Sequence, residues 1–267
     1  MATLLLVHAH PDDEAIATGG VMLRAKQQGH RVVLITATRG EMGEIYNMDE
    51  ASVRPRLGEV RTEELRQACE LLGVDRQEFL GYRDSDMAGR AGNDDPDCFH
   101  RALLPEAAER VSAIMRQEQP EVVVTYTPDG TYGHPDHMKA HQATVAAVEL
   151  VTSEGLAPAK LYFHAIPHSL MLQFEERLRE AGSAPEEATV RFPGIPDELI
   201  TTVVDVRDLV AEKRAAFERH VSQMDPNSPL ASMQGHILEA ALGTEYFIRA
   251  RGESGEEPER DLFAGLG

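Results

Sequence analysis

Apolar positions along the chain fall into two alternating rhythms. Short unbroken runs from Thr3 to Val7, Arg31 to Ala37 and Glu121 to Tyr126 read as strands covered on both faces, since a half-exposed strand would alternate with period two. Between them lie segments with apolar residues at helical spacing. Ile16, Val21, Met22 and Ala25 precede Gly29; Leu57, Val60, Leu65, Ala68, Leu71 and Leu72 precede Gly73; further helices are predicted from Leu103 to Glu118 and from Asp136 to Ser153, the last with Ala140, Thr144, Ala147, Val148 and Val151 on one face. Glycine just past the last periodic residue is a stop signal for a helix.

Strand, helix and strand in succession predict parallel βαβ units. The expected fold class is therefore α/β, a Rossmann-like, mostly parallel sheet with helices on both faces. Beyond it the rhythm changes. Lys160 to Ile166, Thr189 to Phe192, Ile200 to Val206 and Glu245 to Arg249 read as strands among proline-rich turns, and Arg207 to Ser222 as a helix. The expected organisation is a catalytic region over 1–158, a smaller irregular α+β part over 159–251 that walls a pocket, and an acidic, mobile tail over 252–267 that Leu262, Phe263 and Leu266 could dock to the body.

The candidate chemistry sits where two strands end. The first run stops at His8-Ala-His10-Pro-Asp12-Asp13-Glu14, and the run to Tyr126 leads through Thr131, Tyr132 and Gly133 to His134-Pro-Asp136-His137. Proline at a helix start suits both places. In open α/β sheets ligands bind at strand C-terminal ends, beside helix N-termini. His10 and Asp13 are close enough in sequence to converge on one ion. Asp12 and Asp13 diverge by about 100° if the turn is helical, so one aspartate can bind a metal while its neighbour faces a water. His137 would bring the third ligand. Two histidines, one carboxylate and an open position form a catalytic zinc pattern. Singly, the aspartates could be helix caps and the histidines ordinary loop residues; paired at two strand ends, they favour the metal. His141, one turn past His137, reads as a packed neighbour rather than a fourth ligand.

Other segments reach the same rim. Thr38 to Glu44 carries glycines and Glu41 and Glu44, and reads equally as a ligand-approaching loop or a plain turn. Arg61, in a stretch with Glu59, Glu63 and Glu64, reads by itself as a surface ion-pair residue. Glu78 to Tyr82 is a short strand with Arg83-Asp84-Ser85 at its exit, and Met87 to Pro96 is a loop of the kind that covers substrates.

Composition narrows the partners. With 26 basic against 45 acidic residues the formal charge is −19, which opposes phosphate backbones and anionic membrane surfaces, so neither nucleic acid nor membrane is expected. No apolar run is long enough to span a bilayer, and the opening one is too short for a signal peptide, so a cytoplasmic location is expected. Cys69 and Cys98 show no metal or redox spacing and read as packing residues.

With both motifs placed, the chain resembles the LmbE-like (PIG-L) family of metal-dependent N-deacetylases. The resemblance rests on His10-Pro-Asp-Asp-Glu14 and Tyr132-Gly-His-Pro-Asp-His137 and covers most of the chain. Within the family, Arg83-Asp-Ser-Asp-Met-Ala-Gly89 and the ending from Asp261 to Leu266 resemble actinobacterial enzymes of mycothiol metabolism. Those act on N-acetylglucosaminyl-inositol or on mycothiol S-conjugates. The resemblance implies hydrolysis of the N-acetyl amide of a glucosamine-containing small molecule, or of another N-acetyl sugar or mycothiol conjugate. It implies Zn2+, with Fe2+ or another divalent metal as the alternative, a small amino-sugar as partner, and room for a homo-oligomer. His10, Asp13 and His137 would be the metal ligands and Asp12 the base. His134, held by Asp136, would stabilise the oxyanion or protonate the leaving amine, with Tyr132 polarising the carbonyl. Glu44, Arg61 and Asp84 would contact the sugar or inositol. Two departures bear on the substrate: Ala15-Ile-Ala-Thr18 replaces a serine-containing run, and the loop from Arg90 to Asp97 is this chain's own.

Two other readings stand apart. Two histidines and a carboxylate also form the facial triad of non-haem iron oxygenases, although the α/β alternation differs from the jelly-roll setting of such triads. A non-catalytic nucleotide-binding domain would suit the sheet, but His-Pro-Asp-Asp stands where its glycine fingerprint belongs.

Overall fold

The unbroken apolar runs form the centre of one seven-stranded sheet. The computed structural model describes residues 1–180, 194–228, 242–253 and 258–266. Strands β1 (Thr3–His8), β2 (Arg31–Thr38), β3 (Arg76–Tyr82), β4 (Val122–Tyr126) and β5 (Lys160–Ala165) run parallel, and β6 (Thr202–Asp205) and β7 (Thr244–Arg251) complete the order β3-β2-β1-β4-β5-β7-β6. β7 is antiparallel to both of its neighbours. The C-terminal strands thus extend the same sheet. Leu5 at its centre pairs in register with Val33 on one side and Val123 on the other.

Eight helices lie among the described residues: α1 (Asp13–Gln27), α2 (Glu50–Val53), α3 (Leu57–Leu72), α4 (Leu104–Glu118), α5 (Gly130–Gly133), α6 (Pro135–Ser153), α7 (His168–Glu180) and α8 (Val210–Phe217). Alternation along β1 decides which face each residue serves. Leu4 and Leu6 join a core with α1, α3 and Ala216 of α8; Leu5 and Val7 join a second core with α4 and α6. Each of these fully buried leucines and valines contributes roughly 1.5–3 kcal/mol.

Differences from expectation have local causes. The predicted helix from Arg207 to Ser222 is helical only over α8, because His220 and Ser222 leave the helix to bond Glu14 and Glu64, at 2.7 Å in each case. α7 occupies a stretch where no element was predicted, and the strand expected at Thr189 to Phe192 lies outside the described residues. Residues 258–266 pack on the body. Leu262 is buried, the Phe263 ring stacks on His30 at 3.9 Å, and buried Glu259 accepts from Lys160 and from the Tyr162 hydroxyl at 2.6 Å.

Helix α1 is pinned along its length. Gly20 presses against Val206 where any Cβ would stand 2.6 Å from that side chain. Beside it the Glu245 carboxylate accepts from the amides of Gly20 and Val21 at 2.7 and 2.9 Å, while Lys213 neutralises it. The middle of α1 is thereby fixed to β7 and to Val206. No helix among the described residues is long and apolar enough to cross a membrane, and both cysteines are free and buried.

Candidate metal centre and active site

The site forms where the strand order reverses. β1 and β4 are neighbours, yet the chain leaves β1 for α1 on one face and β4 for α6 on the other, which opens a crevice at their C-terminal ends. Both histidine motifs face this crevice.

Each motif is set by its own helix start. Pro135 is the first residue of α6, and His134 caps that helix by accepting the Asp136 amide N–H on Nδ1 at 3.1 Å. A neutral imidazole with Nδ1 so occupied carries its proton on Nε2 and is a donor there. At α1 the cap is Asp12, whose backbone adopts φ 109°, ψ −32°. For a residue other than glycine such a conformation costs about 1–3 kcal/mol. Thr131, ahead of Tyr132, is held at φ 68°, ψ −55°, and Gly130 lies so close to His137 and Met138 that a Cβ would stand 2.9 Å from both. Both loops entering the site are therefore strained.

Asp13 stands between two histidines. Its Oδ2 is 3.5 Å from His10 Nδ1 and its Oδ1 is 3.4 Å from His137 Nε2. Atoms about 2.0–2.1 Å from a tetrahedral ion lie about 3.3 Å apart, so both spacings fit a shared cation. On its far side His10 turns Nε2 toward Asp136 Oδ2 at 3.2 Å, with Asp84 Oδ1 at 3.7 Å, an arrangement that leaves the Nδ1 lone pair for a metal. His137 Nδ1 is buried without a partner, and the ring is held by stacking on Tyr126 at 4.1 Å.

Among the described residues, two sets of ligand-type atoms lie within 4.8 Å of one another: His10, His134 and His137, and His10, Asp84 and Asp136. The second set is already committed. Asp136 accepts from the Ser85 amide at 3.0 Å and the Ser85 hydroxyl, and Asp84 from the amides of Met42 and Asp86 at 3.1 and 2.8 Å. In the first, the capped His134 presents a donor N–H. His10 Nδ1, Asp13 Oδ1 and His137 Nε2 remain as candidate donors, since the Asp13 hydrogen bonds, from the His10 amide at 2.9 Å and the Tyr126 hydroxyl at 2.7 Å, both fall on Oδ2.

Electrostatics follow from burial and neighbours. Burial pushes the Asp12 carboxyl up to about 6 against the pull of Arg61. For Asp13, burial is outweighed by His137 and His10, which hold it well below the usual carboxylate range. Burial, reinforced by His10 and His137, pushes His134 down to about 3.

Every residue expected at the site reaches it, but several serve differently. The Asp136 carboxylate does not hold His134, because it is taken up by His10 and Ser85; only its backbone N–H reaches His134. Arg61 is no surface ion-pair residue. It is 3% exposed and donates to the carbonyls of Gly40 and Pro11 and to Asp12 Oδ2, at 3.2 Å for the last, while Glu63 pairs with Arg66. Arg61, Asp84 and Glu44 all line an open pocket of about 220 Å³ beside His10 and Asp13. Glu44 accepts from the Tyr46 hydroxyl at 2.7 Å. Tyr132 stands at the mouth with its hydroxyl 3.4 Å from His137 Nε2. His141 is a packed neighbour whose Nδ1 meets the Tyr126 carbonyl at 2.8 Å.

Sequence reasoning missed Tyr126. Its hydroxyl donates to Asp13 Oδ2 at 2.7 Å and accepts the Ala9 amide at 2.8 Å, which binds the two motifs together. The available signal was an aromatic residue with a polar tip at the end of a buried strand. Met87, Arg90 and Gln223 also line the pocket, the last brought from the far end of the chain.

The chain is similar to several known deacetylases. The 1D-myo-inositol 2-acetamido-2-deoxy-alpha-D-glucopyranoside deacetylase of Acidothermus cellulolyticus is 42% identical, with 99% of this chain and 95% of that protein aligned. The protein of the same name from Salinispora arenicola is 41% identical over 98% of this chain and 91% of its own length. Among solved structures, N,N'-diacetylchitobiose deacetylase from Pyrococcus horikoshii shares the fold with a TM-score of 0.64 at 21% identity, covering 94% of this chain and 84% of that one. The family model for GlcNAc-PI de-N-acetylase (PIG-L) matches residues 5–148, and the chain belongs to that family.

Proposed function

We propose that the chain hydrolyses the N-acetyl amide of 1D-myo-inositol 2-acetamido-2-deoxy-α-D-glucopyranoside, releasing acetate and the free 2-amino sugar. The observation that carries this reading is the juxtaposition of Asp13, between His10 and His137, with Asp12 and His134 around one pocket. Relatives at 42% and 41% identity named for that substrate support the choice of sugar.

His10, Asp13 and His137 would hold a divalent cation, with Zn2+ the best match to the donor set. Such an ion lowers the pKa of a bound water to about 7 and polarises a carbonyl oxygen. Asp12, steadied by Arg61, takes a proton from the attacking water as the new C–O bond forms. Negative charge collects on the carbonyl oxygen, where His134 Nε2–H and the Tyr132 hydroxyl donate. Losing one such donor typically costs on the order of 100- to 1,000-fold in turnover. As the C–N bond breaks, the nitrogen departs with the proton that Asp12 received. The side of the pocket lined by Glu44, Arg61 and Asp84 would face the remainder of the sugar and the inositol.

The test is to incubate protein reconstituted with Zn2+ with this substrate and quantify products. Acetate and primary amine in equal amounts, abolished by a chelator and restored by metal, support the reading. Turnover of N-acetylglucosamine or of mycothiol S-conjugates in its place would keep the amidase chemistry and discard the inositol substrate. A requirement for dioxygen would point to the iron oxygenase class.

A further inference from the structure

We infer that Glu14 and His220 form a buried positioning pair that holds the strained backbone of Asp12 and so aims the catalytic base. The inference rests on Asp12 being that base.

Glu14 is the last residue of the first histidine motif, yet its side chain turns away from the pocket and is 1% exposed. One carboxylate oxygen, Oε2, accepts the Asp12 backbone N–H at 2.9 Å. The other, Oε1, is 2.7 Å from His220 Nε2, and His220 is wholly buried. The acceptor thus meets the backbone of the one non-glycine residue in the motif with positive φ. Three further bonds hold the same turn: Arg61 donates to the carbonyl of the preceding Pro11, and the Asp12 carbonyl accepts the amides of Ala15 and Ile16 at 3.2 and 3.3 Å.

The geometry gives each partner a task. Without an acceptor for its N–H, Asp12 would be free to relax toward an ordinary helix-cap conformation, which would swing its carboxylate relative to Asp13. A buried carboxylate needs a partner to stay in place, and His220 supplies it from beyond α8. Adjacent Ser222 does the same for Glu64 of α3, with both of its bonds at 2.7 Å. The segment carrying His220, Ser222 and Gln223 therefore couples the C-terminal part of the chain to the base without touching the cation ligands.

A double-mutant cycle tests this. Glu14→Ala should lower kcat about 100-fold, the size of effect that follows from misplacing a reacting group by about an ångström, with KM and metal stoichiometry unchanged. Glu14→Gln, which keeps an oxygen for the Asp12 N–H, should restore most of the lost rate. In an Asp12→Ala background, Glu14→Ala should leave the residual rate unaltered, because the two changes remove one function. An equal loss in both backgrounds, or metal lost in step with activity, would mean a merely structural role and overturn the inference. If Glu14→Ala does not fold, His220→Gln carries the same cycle, with the same outcomes for and against. Full activity of Asp12→Ala alone would instead refute the base assignment on which the inference stands.

Discussion

The Asp136 carboxylate lies 3.2 Å from His10 Nε2, while only its backbone N–H reaches His134. One residue therefore serves both halves of the site in different ways: its side chain orients His10, the proposed metal ligand, and its main chain orients His134, the proposed oxyanion donor. Asp136→Asn keeps the main-chain bond and removes the charge behind His10. Metal affinity should fall about 10- to 100-fold, as for other partners behind metal ligands, while kcat at saturating metal changes much less. Competition against a chelator measures the first and steady-state kinetics the second. Unchanged affinity with a large loss of kcat would return the carboxylate to His134.

Tyr126 makes the corresponding prediction for Asp13. Tyr126→Phe keeps the ring on His137 and deletes the hydroxyl that donates to Asp13 and accepts the Ala9 amide. The orphaned buried amide should cost about 1–3 kcal/mol in a urea titration. Metal affinity should again drop about 10- to 100-fold. Wild-type affinity in this variant would show that Asp13 needs no such support.

A pH dependence of stability is expected far from the site. Glu259 is buried against Lys160, Tyr162 and Thr202. Burial alone would raise its carboxyl, but the hydrogen bonds from Lys160 and Tyr162 overcome this and hold it below its ordinary 4.5. A depressed carboxylate contributes stability that is present above 4.5 and is lost as pH falls through the folded value. Glu259→Gln leaves Lys160 buried without a counter-charge and should cost about 3–5 kcal/mol at pH 7. The gap to wild type should narrow once pH drops below 4.5. A gap that stays constant between pH 7 and pH 4 would contradict the assignment.

What the sequence reveals and conceals follows from distance along the chain. β1 and β4 were legible as unbroken apolar runs, α1 and α3 as periodic segments closed by glycine, and the proposed metal ligands as two motifs that each lie within a few residues. Their meeting was legible only because two such motifs end two strands of one sheet. The insertion of β7 between β5 and β6 was not, because antiparallel pairing between strands as far apart in the chain as Leu161 and Arg251 leaves no local period. Arg61 was misread for the same reason. Its glutamate neighbours at helical spacing suggest a surface pair, whereas its partners Gly40, Pro11 and Asp12 come from other segments. Glu14 and His220, 206 positions apart, show no relation until the chain is folded.

The division of labour between Asp12 and Asp13 is the centre of the account, and one paired measurement tests it most directly. Bound metal per chain and kcat are determined side by side for Asp12→Ala and Asp13→Ala. Asp12→Ala should retain about one metal ion per chain with turnover abolished, whereas Asp13→Ala should lose the metal itself. Loss of metal in Asp12→Ala, with metal retained in Asp13→Ala, would mean that base and ligand are exchanged.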